Sequence, residues 1–235
     1  MPVEVATGEG WLRRSALTLL QLLRSPNSSF RRVQEPVDHG VALAFISTIR
    51  LPAWGFLLAV LLVRAVLREA PEALTPNGLG LAIDPHFADA LSLWLLLMVP
   101  LGAPLLYFIG GIMAHGVTTL TGGAEGSLGA SMRAFGYTAG WPLLAVACLD
   151  VPLYLGAIRP EIYASVFGVV LCLQYGLLAL ALARTHDMGL LRALLVATAP
   201  TFLFAAMVAL RALLELPHFP FLAPPPHPYV PFILP

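Results

Sequence analysis

Five apolar stretches dominate this chain, at 41–63, 88–114, 134–157, 162–183 and 193–214, each close to the ~20 residues with which a helix crosses a ~30 Å hydrocarbon core. They are too long and too evenly apolar for the alternating strands of a barrel, and helices alone satisfy their own backbone groups in lipid. With 58% of the 235 residues hydrophobic and only 11% charged, no single soluble core could hide the apolar surface. The expected fold is an all-α polytopic membrane protein. A five-transmembrane-helix bundle over 41–214 follows a cytoplasmic N-terminal segment (1–40) and precedes a proline-rich outer tail (215–235).

Arginine placement orients the spans. All 13 basic residues are arginine. With the N-terminus inside, the cytoplasmic segments hold Arg13, Arg14, Arg24, Arg31, Arg32, Arg133, Arg184 and Arg192, and the outer ones only Arg64, Arg68, Arg159 and Arg211. That is the positive-inside bias, and an odd span count puts the C-terminus outside. The arginine, alanine, glycine and proline usage suits a GC-rich bacterial genome, hence an inner (cytoplasmic) membrane. The first ten residues show no cleavable signal peptide, so the spans act as their own insertion signals. A net charge of zero gives no pull toward nucleic acid.

Ahead of the spans, Trp11–Arg24 has a helical period. Trp11, Leu12, Ala16, Leu19, Leu20, Leu22 and Leu23 fall on one half of the wheel, and Arg13, Arg14, Thr18, Gln21 and Arg24 on the other. Two settings fit this pattern: the headgroup region of an anionic leaflet, or the protein's own bundle. Pro26 ends the helix, and Arg31 with Arg32 forms a second basic cluster.

Within the spans, Pro52, Pro100 with Pro104, Pro142 with Pro152, and Pro200 each remove an intrahelical hydrogen bond. Kinked helices can frame a pocket or merely pack irregularly. Gly136-x-x-x-Gly140 permits close helix approach, within the bundle or between protomers of a homo-oligomer. Four polar residues stand at membrane depth as an intramembrane polar site: Arg50, His115, Asp150 and Gln174. A charge there costs at least ~2.5 kcal/mol on insertion scales. Arg50 and Asp150 therefore either pair with each other or snorkel to opposite interfaces.

Recognisable catalytic motifs are absent. A Walker loop needs the lysine this chain lacks, and neither H-E-x-x-H nor Cys-x-x-Cys occurs. Gly126-Ser127-Leu128-Gly129 is not a nucleophile elbow. Cys148 and Cys172 sit in apolar runs as small hydrophobes. No cofactor or metal is expected, no span pairs a nucleophile with a base, and the segment from Gly122 to Arg133 reads as an inner-face hinge and surface.

The order of features also resembles a known family. An N-terminal segment with Pro26 and Phe30 is followed by five spans, the glycine-rich run GGAEGSLGASMRAFGYTAGWPLL (122–144) and the connection ARTHDMGLLRAL. The chain resembles the Yip family of membrane proteins, named for interaction with Ypt/Rab GTPases, in its bacterial branch. The most specific part is the GG-x-x-x-S pattern, Arg133, the Gly136-Tyr137 pair and Pro142. The resemblance implies a five-helix domain with a cytosolic N-terminus, and a role in trafficking or membrane organisation through partner binding, without enzymatic activity.

Two functions follow as expectations. One is a non-enzymatic scaffold or adaptor whose Arg13, Arg14, Arg24, Arg31, Arg32 and Arg133 engage anionic membrane lipids and a membrane or cytosolic protein partner. The other is a small transporter or lipid-handling protein, with Arg50, His115, Asp150 and Gln174 lining a path.

Overall fold

Each apolar stretch forms a helix, because backbone groups have no other partner in lipid. The computed structural model describes residues 1–4, 10–30, 37–67, 85–122, 125–154 and 157–215, with the side chains of 60–67, 85–100, 154, 160 and 210–215 outside the description. Arg31, Arg32, Arg68 and the proline-rich tail lie outside the described residues, as do the side chains of Arg64 and Arg211. A short 3-10 turn (Pro2–Glu4) precedes α1 (Trp11–Arg24), α2 (Pro26–Phe30), α3 (His39–Leu67), α4 (Pro85–Leu120), α5 (Leu128–Thr138), α6 (Gly140–Tyr154), α7 (Pro160–Thr185) and α8 (Leu190–Glu215). No strand occurs among the described residues, and five segments are long and apolar enough to cross a membrane.

Helix ends follow local chemistry. Asp38 Oδ1 accepts from the Val41 N–H at 3.2 Å at the start of α3, and the Ser127 hydroxyl accepts from the Ala130 N–H at 3.2 Å at the start of α5. Pro160 fits the first turn of α7, where its missing N–H costs nothing. That helix ends in a Schellman turn: Asp187 is left-handed (φ 46°) and the Met188 N–H reaches the Ala183 carbonyl at 3.0 Å.

The third span starts earlier than its hydropathy suggests. Ser127 caps a helix that begins at Leu128, so residues 128–133, expected as an exposed hinge, are the first turns of a span running from Leu128 to Leu153. Its continuity breaks at Ala139, and Pro142 falls in the first turn of α6 rather than mid-helix. The prolines Pro52, Pro152 and Pro200 lie inside continuous helices. This third span is the central one, with 67% of its window buried against 28–39% for the other four.

Large side chains do not mark the inward faces; small ones do. On α4, Ala103, Gly110, Gly111 and Ala114 face inward together with Leu106 and Tyr107, while Leu101, Leu105, Phe108, Ile109 and Ile112 are exposed. Lipid solvates a leucine as well as a core does, so helices gain most where small residues let backbones approach. A Cβ at Gly111 would lie 2.5 Å from the Met132 Cα, and one at Gly110 would lie 2.4 Å from the Phe135 ring. Gly136 and Gly140 work the same way inside the bundle, against Tyr107 and against Phe45 with Leu19. The glycine pair is thus spent on internal packing, which leaves it no free face for a second protomer.

This packing predicts that Gly111→Ala lowers the melting temperature of the detergent-purified protein, since overpacking costs about 1–3 kcal/mol. Gly116→Ala on the same helix, where a Cβ meets nothing within 4 Å, is expected to leave it unchanged or slightly higher.

Candidate functional site

At one end of the bundle α3, α6 and α7 converge on a buried ion pair. Arg50 Nη2 donates to Asp150 Oδ2 at 2.5 Å, with the two side chains 5% and 2% exposed. The Tyr163 hydroxyl donates to Asp150 Oδ1 at 3.2 Å. Of the two arrangements open for Arg50 and Asp150, the structure has the paired one. Arg50 Nη1 is buried without a hydrogen-bond partner. Arg50 also lines a cavity of about 110 Å³ between α3, α4, α6 and α8, whose other walls are apolar.

The other two residues of the expected polar site lie elsewhere. Gln174 is 0% exposed in α7, and neither of its amide atoms has a hydrogen-bond partner. His115 joins a cluster at the opposite end of the bundle. The four residues therefore fall in three separate places and do not line one path.

That cluster holds Ser131, which lies in the segment expected as an inner-face hinge and stands between two histidines. His186 Nε2 lies 2.8 Å and His115 Nδ1 3.2 Å from Ser131 Oγ, with the imidazoles 5.8 Å apart. The contact joins α4, α5 and the turn after α7 across long sequence separations, so no single span displays it. The tautomers, however, run against catalysis. The Gly126 N–H donates to His186 Nδ1 at 3.1 Å, so the neutral ring carries its proton on Nε2 and donates to Ser131 rather than accepting from it. Ser131 and His186 are 0% and 2% exposed, closed to a substrate. The cluster is a clasp that ties the glycine-rich segment to the end of α7. Gly126 is required there, because a Cβ would lie 2.6 Å from the Thr185 carbonyl oxygen.

Burial pushes the His186 imidazole down to about 4, helped by the neighbouring His115 and Arg192. Arg192 itself donates to Thr121 Oγ1 at 3.2 Å and to the Thr118 carbonyl at 2.8 Å, holding the end of α4 to α8.

Arg133, expected on the inner surface, is buried at 3% exposure and already engaged. Its Nε and Nη2 donate to Glu4 Oε1 and Oε2 at 2.5 and 2.6 Å, a bidentate pair, and its guanidinium lies 5.4 Å over the Tyr137 ring. The turn at Pro2–Glu4 is pinned by burial of Val3 and by the Val3 N–H donating to Thr18 Oγ1 at 3.0 Å. Burial alone would raise the Glu4 carboxyl, but Arg133 and the amino terminus hold it down at about 2. No sequence signal announced this pair, whose members are 129 residues apart.

Around α1 the surface divides in three. Ser15, Thr18, Leu19 and Leu22 are buried on the bundle, and Trp11 Nε1 donates to Thr48 Oγ1 at 2.7 Å. Leu12, Ala16, Leu20 and Leu23 form an exposed apolar stripe beside the first, with Leu12 72% exposed. Arg13 and Arg24 are exposed on the next sector, while Arg14 folds over the Trp11 ring. Thr18, placed on the polar half by its wheel position, is buried because its hydroxyl serves Val3 and the Arg14 carbonyl. Arg184 is tied to Asn27 at 3.0 Å.

Five apolar spans around a small-residue core define an integral, polytopic α-helical membrane protein. The model of the Yip1 domain matches residues 20–211, and the chain belongs to that family. Its members are membrane proteins linked to trafficking, which fits a non-enzymatic membrane role. No curated protein and no solved structure matches the chain. The residues that carried the resemblance have structural duties here: Ser127 caps α5, Arg133 holds Glu4, and Gly136 admits Tyr107.

Two titrations follow, both with folded pKa values below their unfolded ones, so the unfolded chain binds more protons and stability is lost as pH falls. For His186 the contribution is complete above about pH 6.5 and lost as pH falls to about 4. For Glu4 it is complete above about pH 4.5 and lost toward about pH 2. Thermal melts in detergent are expected to show both limbs. His186→Asn should flatten the upper one, and Glu4→Gln should remove the lower one while lowering the melting point at neutral pH.

Proposed function

We propose that this protein is a non-enzymatic scaffold of a bacterial inner membrane, with its N-terminus and the arginine-bearing end of the bundle in the cytoplasm. The domain limits in this reading are a cytoplasmic N-terminal segment over 1–40, the five-helix domain over 41–214, and an outer tail beyond. It acts by holding a protein partner against anionic lipid, and its working surface is α1.

The observation that carries this reading is the three-way division of α1. A helix that only packed on the bundle would not leave Leu12, Leu20 and Leu23 exposed in a row. A helix that only floated on lipid would not bury Leu19 and Leu22. Docked on one sector, α1 offers a second apolar sector to acyl chains and keeps Arg13 and Arg24 exposed, and a basic residue near the membrane surface adds about 1 kcal/mol of attraction to an anionic leaflet. Arg133 takes no direct part in that surface and acts instead by fixing the segment before α1 through Glu4. The transport alternative has less support, since its four residues lie apart among the described residues.

The test is affinity purification from native membranes with lipid and partner identification. Arg13→Glu with Arg24→Glu is expected to remove the enrichment of anionic phospholipid and the co-purifying partner, with the melting temperature unchanged. Recovery equal to that of the unmodified protein would rule the reading out. Raising salt should imitate the substitutions, because exposed charges are screened within about 10 Å at 0.1 M.

A further inference from the structure

The cavity beside the buried ion pair has no part in the scaffold reading. It is lined by Gly102, Ala103 and Leu106 of α4, Leu143 and Val146 of α6, and a stretch of α8 that includes Met207, with Arg50 as its one charged residue. Three features bear on what it takes.

The first is polarity. Arg50 is 4% exposed, and its Nη1 has no hydrogen-bond partner. An unpaired guanidinium N–H in an apolar wall is a standing cost that an oxygen acceptor removes. Because Nη2 is already paired with Asp150, the site as a whole is near neutral and does not call for an anion.

The second is depth. The lining residues of α4, α6 and α8 lie about 14 to 18 residues from the bundle end that carries Leu120, Leu128 and Leu190, which is about 21 to 27 Å at 1.5 Å per residue. In a ~30 Å hydrocarbon core that is the last third, close to the opposite boundary, where the ester carbonyls of glycerolipids begin.

The third is access. Leu101 and Leu105, next to the lining residues of α4, are 56% and 54% exposed on the outer side of the bundle. An occupant can therefore enter sideways from the acyl chains without crossing the core.

We propose that this cavity is a glycerophospholipid site in the leaflet far from the bundle end that carries Leu120, Leu128 and Leu190, in which an ester carbonyl accepts from Arg50 and the acyl chain lies along Leu106, Leu143 and Met207. Neutrality of the Arg50–Asp150 pair makes the site indifferent to headgroup charge. Selection comes from the carbonyl and from chain shape.

The probe is phosphatidylcholine carrying a diazirine on its acyl chain, present at trace level in phosphatidylcholine vesicles that hold the full-length protein. After irradiation, labelled peptides are mapped. Label is expected on the segments around Leu143 and Met207, at several-fold higher density than on the lipid-facing part of α7 around Val169. Gly102→Leu fills the cavity, since a Cβ at that position meets nothing within 4 Å, and should reduce that label at least five-fold while leaving the Val169 region unchanged. Met207→Trp supplies a second block from another helix, and a melting transition like that of the unmodified protein verifies folding in each case. A phosphatidylglycerol probe should label equally well. The assignment is overturned if neither block changes the pattern, if only phosphatidylglycerol labels the cavity, or if oleate displaces the label and so identifies a free carboxylate as the occupant.

Discussion

A charge within hydrocarbon must find its opposite inside the protein, and Arg50 and Asp150 meet that requirement through each other. The pair joins the first span to the third, and Tyr163 adds the fourth through the same carboxylate. The hydrophobic effect cannot choose among helix faces in lipid, because one leucine-rich face is as well solvated as another. A buried ion pair does choose, since other registers of α3 against α6 leave two uncompensated charges, each costing several kcal/mol. Small residues then let the backbones close around that register, as Gly110 and Gly111 do against α5.

The opposite end is built on the same logic with weaker groups. Arg133 takes the Glu4 carboxylate, Ser131 sits between His115 and His186, and Arg192 holds the end of α4. Together these bonds attach the N-terminal segment, the glycine-rich segment and the turn after α7 to the central α5. That end holds Glu4 and His186, whose pKa values lie below their ordinary ones, so both groups are expected to contribute to the loss of stability in acid. Pinning Pro2–Glu4 there also ties the turn ahead of α1 to α5.

Hydropathy made the five helices legible because lipid acts on sums over some twenty residues, which a sequence displays directly. Their ends were less so. Leu128 to Arg133 looked like surface because it continues the glycine-rich run from Gly122 and ends in an arginine, yet the Ser127 cap starts a helix there and Glu4 pairs with that arginine. Polar partners were legible only where depth restricted the choice, as with Arg50 and Asp150. Ser131 with His186 and Arg133 with Glu4 depend on chain segments that no local pattern connects. The wheel of α1 showed one apolar half, whereas the structure divides that half between protein and exterior, a division that depends on partners outside α1 such as Thr48.

The central claim is that the Arg50–Asp150 pair fixes the packing of α3 on α6, and a double-mutant cycle of unfolding in bicelles tests it most directly. Arg50→Met and Asp150→Val should each destabilise the protein by leaving the other charge alone, while the double variant should be no less stable than either single one. Additive losses from the two substitutions would contradict the account.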